Sequence, residues 1–198
     1  MNLIPDDLAL RYGSSWLPLK KDDVVFREGD EAAFFYQVAD GAIKMVTYSD
    51  EGDEFIQGIF YAGESFGEPP LFCGFEYPST AFAMGPARVL RLPKDRFFDL
   101  LKDNFAIHLK VDRVLCERLK YKNMVLSEIS FYDPEHRIQS LLQYLKSKTT
   151  VAEKEFLVPL TRQQLADMSG MRVETVIRTI KKMEESGKLR LQDHKIFI

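Results

Sequence analysis

The chain reads as an α+β protein in three parts: an N-terminal double-stranded β-helix (jelly roll), a long helix, and a C-terminal helix-turn-helix closed by a β wing. Three observations predict this order. Gly29, Gly41, Gly52, Gly63, Gly74 and Gly85 fall at intervals of 12, 11, 11, 11 and 11 residues, with β-branched and aromatic runs between them. Between residues 107 and 129, apolar side chains recur at three- and four-residue spacing. Near the C-terminus two amphipathic stretches meet at Gly170, and two short strand-like triplets follow, Leu189-Arg190-Leu191 and Ile196-Phe197-Ile198. The expected domains are residues 1–131, whose last helix spans about 105–130, and residues 132–198.

Residues 1–18 read as a short helical lead-in that ends near Pro18. Residues 24–26, 34–38, 43–48 and 55–60 then read as strands, because β-branched and aromatic side chains suit a pleated, half-buried surface. Turn signals at this spacing mark a sandwich or barrel. No 11-residue word repeats, so the rhythm belongs to strands and not to a solenoid. A double-sheet jelly roll is the economical arrangement. A short helix over residues 93–101 offers Phe97, Phe98, Leu100 and Leu101 to the roll.

The long helix carries Ile107, Val111, Val114, Leu115, Leu119, Val125, Leu126 and Ile129 as an apolar stripe. A helix of about 25 residues spans roughly 37 Å, more than a roll of this size covers. Part of the stripe therefore needs another partner. A second copy of the helix in a two-stranded coiled coil supplies one; packing within a single chain is the alternative. Asp133-Pro134 opens a new helix, since Asp is a good N-cap and Pro fits the first helical position. That helix buries Ile138, Leu141, Leu142 and Leu145, residues 131–133 form the hinge before it, and residues 149–155 read as a polar loop.

Thr161 precedes Gln164 by three residues, the signature of a capping box. Leu165, Ala166 and Met168 give this first helix its apolar side, and Gly170 supplies the turn. A second helix runs over residues 173–185, with Val176, Ile180 and Met183 on one face and Glu174, Arg178 and Lys181 or Lys182 on another. Gly187 ends it. Residues 189–191 and 196–198 flank Gln192-Asp193-His194 as a two-stranded wing. A helix-turn-helix has this form, with its second helix offered to the major groove. Spacing alone also allows an ordinary helical hairpin with a solvated charged face.

Composition sets further bounds. A chain of 198 residues at 45% hydrophobic content can bury one large core or two small ones. The net charge of −3 divides into +3 over residues 133–198 and −6 over residues 1–132, a basic part beside an acidic one. Residues 1–18 carry Asp6, Asp7 and Arg11 without an apolar run, so no secretory signal is expected, and no stretch approaches a membrane span. Two cysteines, Cys73 and Cys116, make no disulfide framework and suit a reducing cytoplasm. They read as plain thiols, with a redox switch as the sharper alternative. The histidines His108, His136 and His194 all lie outside the roll, so no metal cluster is expected. No Walker loop, nucleophile elbow or triad spacing occurs, so no enzyme is expected.

The C-terminal words Leu160-Thr161-Arg162-Gln163-Gln164 and Val173-Glu174-Thr175-Val176-Ile177-Arg178 closely resemble the winged-helix DNA reader of the cAMP receptor protein/FNR (Crp/Fnr) family of bacterial transcription regulators. Gly29-Asp30, Gly41-Ala42-Ile43-Lys44 and Gly63-Glu64-Ser65-Phe66-Gly67-Glu68 look like the family's cyclic-nucleotide-binding β-roll. The resemblance implies double-stranded DNA as partner, an inverted-repeat site, a homodimer and a contact with RNA polymerase. It places Glu174 and Arg178 against bases, where Arg reads guanine and Glu accepts from cytosine. Ile177 departs from the family, where this position is polar; it either meets a thymine methyl or packs on a neighbouring helix. Arg162, Gln163, Lys181 and Lys188 are expected on phosphates, with Thr161, Val173 and Thr175 in the same face.

In the family's effector pocket, backbone amides of the loop 67–72 cradle a cyclic phosphate at a helix start. A glutamate, here Glu68, holds the ribose hydroxyl, and an arginine followed by a small hydroxyl residue clamps the phosphate. This chain reads Tyr77-Pro78-Ser79-Thr80 there, with Pro78 in the arginine's place, and Pro69 and Pro70 remove two amide donors. The expected effector residues are Gly67, Glu68, Ser79, Thr80, Arg118 and Lys122, for an unknown small molecule other than cAMP. Two cysteines cannot hold an iron–sulfur cluster of the FNR kind, so neither cluster nor metal is expected. Alternatives stay open: Glu68 pairs with Arg118, Glu68, Ser79 and Thr80 form a ligand-free loop network, and Lys122 meets an anionic effector or merely snorkels. The reading is a DNA-binding regulator controlled through its roll; the runner-up is a sensor and scaffold whose helix pair binds protein.

Overall fold

In the computed structural model, which describes residues 2–148 and 155–198, the chain forms two compact units, Met1–Leu119 and Lys120–Ile198. The first holds α1 (Asp6–Arg11), β1 (Ser15–Leu19), β2 (Val24–Phe26), β3 (Phe34–Asp40), β4 (Ala42–Tyr48), β5 (Glu54–Tyr61), β6 (Ser65–Phe66), α2 (Pro69–Cys73), β7 (Thr80–Ala83), β8 (Ala87–Pro93) and α3 (Lys94–Asp103). α4 (Phe105–Phe131) crosses the division. The second unit continues with α5 (Pro134–Ser147), α6 (Arg162–Ser169), α7 (Val173–Glu185), β9 (Arg190–Gln192) and β10 (Lys195–Phe197). The polar loop expected at 149–155 lies, Glu155 apart, outside the described residues.

Eight strands build two antiparallel four-stranded sheets, ordered β1-β8-β3-β6 and β2-β7-β4-β5. Phe35, Phe66, Ile43, Leu90 and Leu92 are fully buried in the roll's core. The β3–β4 turn depends on glycine: Gly41 sits at φ +79°, and a Cβ there would stand 2.5 Å from the Pro86 carbonyl oxygen. The lead-in differs from the expected helix. α1 stops at Arg11, and residues 15–19 form a strand that contains Pro18. β1 is an edge strand, the one place in a sheet where a residue without an N–H is tolerated.

α3 docks on the roll by stacking Phe97 on Phe35, ring centroids 4.5 Å apart. The stripe on α4 separates into two faces. Ile107 and Val111 are buried, and Val114 and Leu115 pack against the roll's core. Leu109, Cys116, Leu119, Asn123 and Leu126 stay exposed on the opposite side. These five fit the a and d positions of a heptad, with Cys116 and Asn123 at a and Leu119 and Leu126 at d.

The second unit opens earlier than the expected break at 131/132 because the end of α4 packs within it. Tyr121 is buried and stacks on Tyr144 of α5 at 4.0 Å. Asp133 caps α5 by accepting from the backbone N–H groups of Glu135 and His136. Ile138, Leu141 and Leu142 of α5 share this unit's interior with Leu165, Ala166 and Met168 of α6 and Val176, Ile180 and Met183 of α7; Leu145 is half-buried. Among the described residues, no helix is long and apolar enough to cross a membrane.

Candidate functional site

The C-terminal unit presents α7 as its most amphipathic surface element. α6 starts with a complete capping box: Thr161 Oγ1 accepts from the Gln164 N–H at 3.1 Å, and Gln164 Oε1 accepts from the Thr161 N–H at 2.9 Å. Gly170 then turns the chain at φ +64°. α7 buries Val176, Thr179, Ile180 and Met183, which leaves Glu174, Ile177, Arg178 and Lys181 exposed and Val173 and Thr175 half-exposed. Glu174 and Arg178 stand one turn apart, and neither has an ion-pair partner among the described residues. Ile177 is 52% exposed, so it projects outward instead of packing on a neighbouring helix.

Three other expected contact residues are engaged within the unit. Arg162 donates to the carbonyl of His194, at the tip of the wing, where Asp193 and His194 both adopt positive φ. Gln163 Nε2 donates to Asp167 Oδ1 at 2.7 Å. Lys188 Nζ lies 2.7 Å from Glu135 Oε1, and Lys182 Nζ lies 3.2 Å from Glu135 Oε2. Hydrogen bonds from Lys188 and then Lys182 hold the Glu135 carboxyl below the usual glutamate range. Asp133 is held low by backbone hydrogen bonds, first from His136. An open crevice of about 340 Å³ separates these elements, lined by Asp133, Pro134, Glu135, Thr175, Arg178, Thr179 and Lys182.

In the N-terminal unit, which holds Gly67, Glu68, Ser79, Thr80 and Arg118 of the expected effector residues, the interior of the roll is filled with rings. Phe26 stacks on Tyr77 at 3.6 Å, and Phe66 packs between Tyr36 at 5.4 Å and Phe60 at 5.7 Å. Gly67 lies beneath Phe26 and Tyr77: a Cβ would meet both rings at 3.0–3.1 Å. Burial pushes the Tyr77 phenol up, with the neighbouring Tyr36, Glu68 and Asp30 adding to it. Arg118 of α4 donates to Glu68 Oε2 and to the Ser65 carbonyl, and its guanidinium lies 5.1 Å from the centre of the Phe60 ring. The expected loop network is therefore only partly satisfied. Thr80 Oγ1 accepts from the Glu28 N–H at 3.0 Å, whereas Glu68 Oε1 and Ser79 Oγ are buried without a partner among the described residues. α2 begins with Pro69 and Pro70, which present no amide. Lys122 is exposed on the part of α4 that belongs to the second unit.

Residues 16–104 match the cyclic nucleotide-binding domain, and residues 136–198 match the Crp-like helix-turn-helix domain. The chain belongs to the Crp/Fnr family of transcription regulators. It is 26% identical over 184 residues to the anaerobic regulatory protein of Aggregatibacter actinomycetemcomitans, covering 91% of this chain and 71% of that one. The fumarate and nitrate reduction regulatory protein of Escherichia coli K12 is also 26% identical, with 91% and 73% covered. Two solved structures share the fold. The c-di-GMP-responsive global regulator CLP of Xanthomonas campestris superposes at TM-score 0.78, with 24% identity over 96% of this chain and 98% of that one. A CooA mutant of Carboxydothermus hydrogenoformans gives 0.85, with 18% identity over 100% and 91%. Crp/Fnr regulators bind DNA and are dimers, and this chain is a regulator of that type and not an enzyme.

Within that family frame, sequence reasoning brought Glu174 and Arg178 to one helix face, where both are exposed, and left Ile177 open between that face and a neighbouring helix; Glu68, Ser79 and Thr80 are each buried. It missed Glu135 and its two lysines. An acid in the first turn of α5 is visible in the sequence, but its pairing with Lys188 spans 53 residues and has no local signal. It also missed Phe26 and Tyr77 as occupants of the roll. Among the described residues no group of three His, Cys, Asp or Glu is placed to hold a metal, and Cys73 and Cys116 are exposed thiols.

Proposed function

We propose that this Crp/Fnr regulator reads an inverted-repeat DNA site as a cytoplasmic homodimer, through Glu174 and Arg178, and is controlled through a roll that does not take cAMP. The observation that carries the DNA reading is the pair itself: both side chains are exposed, one turn apart, and free of ion-pair partners among the described residues, so neither gives up such a contact on meeting a base edge. Lys181 lies on the same face, and Thr161, Arg162, Gln163, Val173, Thr175 and Lys188 flank it to hold register on the sugar–phosphate backbone. The exposed Leu119 and Leu126 on α4 favour a parallel helix pair, and an inverted repeat follows from two-fold symmetry with half-sites roughly 34 Å apart.

The aromatic filling, Pro78 and the Arg118–Glu68 contact favour a sensor without a cyclic-nucleotide site. The effector residues Gly67, Glu68, Ser79, Thr80, Arg118 and Lys122 then serve another small molecule, whose binding shifts the dimer between two geometries. RNA polymerase is the partner downstream. Two measurements test this reading. The protein is expected to shift a randomised duplex at low salt, and millimolar cAMP or cGMP is expected to change neither melting temperature nor DNA affinity. A saturable rise in melting temperature with either nucleotide refutes the sensor reading, since a ligand of the folded state must stabilise it. Failure to shift any duplex refutes the DNA reading.

A further inference from the structure

We propose that Glu135 is an intramolecular competitor for the DNA backbone: it occupies Lys182 and Lys188 in the free protein and so weakens binding to every sequence alike. The inference rests on the DNA reading above. The crevice between the start of α5 and α7 is continuous with the reading face, because Arg178 lines it. Three cations, Arg178, Lys182 and Lys188, border or flank this region. They are not equivalent. Arg178 has no ion partner among the described residues, whereas the two lysines converge on the two oxygens of one carboxylate, at 3.2 and 2.7 Å. The Glu135 side chain is only 21% exposed, while Lys182 and Lys188 are 74% and 48% exposed, so the lysine heads remain reachable from solvent. Asp133 adds a second negative charge beside Lys182.

A phosphate arriving at this edge meets two ammonium groups that already have a counter-charge, and one carboxylate that repels it. Binding there requires exchange of one anion for another, which releases fewer condensed counterions than binding to a bare lysine. The cation that reads a base carries no such cost. Glu135 thus lowers the sequence-independent part of the affinity and leaves the selected sequence to Glu174 and Arg178.

The experiment uses the full-length protein with two duplexes: the sequence it selects from a randomised pool, and a scramble of the same composition. Glu135→Gln keeps the size and hydrogen-bonding reach of the side chain but removes the charge. It is expected to tighten binding to both duplexes about three- to tenfold. The slope of log K against log salt is expected to steepen by about two, half of the maximum for four released lysines per dimer at roughly 0.9 each. The selected sequence stays the same. Adding Lys182→Gln and Lys188→Gln to Glu135→Gln erases the gain, whereas the same two changes in the wild-type background, where Glu135 already occupies both lysines, cost several-fold less affinity than they do beside Glu135→Gln; Glu135→Ala repeats the comparison. Unchanged or weaker binding by Glu135→Gln, a gain with no change in salt slope, or lysine changes that cost as much in the wild-type background as beside Glu135→Gln overturn the proposal. Failure of the wild-type protein to bind either duplex overturns the DNA reading beneath it, a distinguishable result.

Discussion

Replacing Arg118 with alanine tests what holds the sensor's interior together. The guanidinium donates to Glu68 Oε2 and to the Ser65 carbonyl. Glu68 is 1% exposed, and its other oxygen has no partner among the described residues. Arg118→Ala therefore strands a buried carboxylate. Breaking a fully buried pair costs about 3–5 kcal/mol; the Arg118 side chain is 24% exposed, which brings the expectation to about 2–3 kcal/mol. For a unit of Met1–Leu119, with roughly 2.1 cal/mol/K of unfolding entropy per residue, that loss lowers the melting temperature by about 8–12 °C. Glu68→Gln in the same background removes the stranded charge, so the double variant is expected to recover about 1–2 kcal/mol relative to the sum of the single changes. Thermal denaturation of the four proteins measures this. Additive effects within about 0.3 kcal/mol would refute the idea that the pair is a coupled buried contact.

The remaining predictions concern the dimer, the reader's scaffold and acid. Leu119→Glu with Leu126→Glu is expected to give soluble monomers that lose tight operator binding, whereas Val114→Glu, which enters the roll's core packing, destabilises the fold; sedimentation and melting separate the two. Thr161→Ala removes a complete capping box and is expected to cost about 1 kcal/mol, read as an earlier denaturant midpoint with unchanged slope. Asp133 and Glu135 have folded pKa values held below their ordinary 3.8 and 4.5. Their stabilising contribution is thus full above those values and is lost as pH falls through the lower folded ones, so wild type is expected to weaken below about pH 4.5 and Glu135→Gln to weaken less.

Much of this was legible in the sequence because local chemistry decided it. Thr161, Gln164 and Gly170 specify a cap and a turn through neighbours within three or four residues, and glycines at 11-residue spacing end strands that a sheet then pairs. The failures have a common cause in distance along the chain. Pro18 reads locally as the end of a helical lead-in, but it lies within β1 at a sheet edge, a place set by pairing with β8 far away in sequence. On α4 the spacing announced an apolar repeat without saying which members face the roll; Val114 and Leu115 pack on its core, whereas Leu119 and Leu126 are exposed. The Arg118–Glu68 contact was foreseeable only as one of several uses for Glu68. Glu135, Lys182 and Lys188 were each visible, but nothing local brought them together.

Base reading by Arg178 and Glu174 is the centre of this account, and selection of binding sites from a randomised duplex pool tests it most directly. Wild type is expected to yield an inverted repeat whose half-sites share a G·C pair. Arg178→Ala is expected to lose preference at that one pair, at about 1–3 kcal/mol, and to keep the rest of the motif. Lys181→Ala is expected to weaken all sequences alike and flatten the salt dependence. An Arg178→Ala protein that selects the wild-type motif unchanged while binding every sequence more weakly would contradict the account.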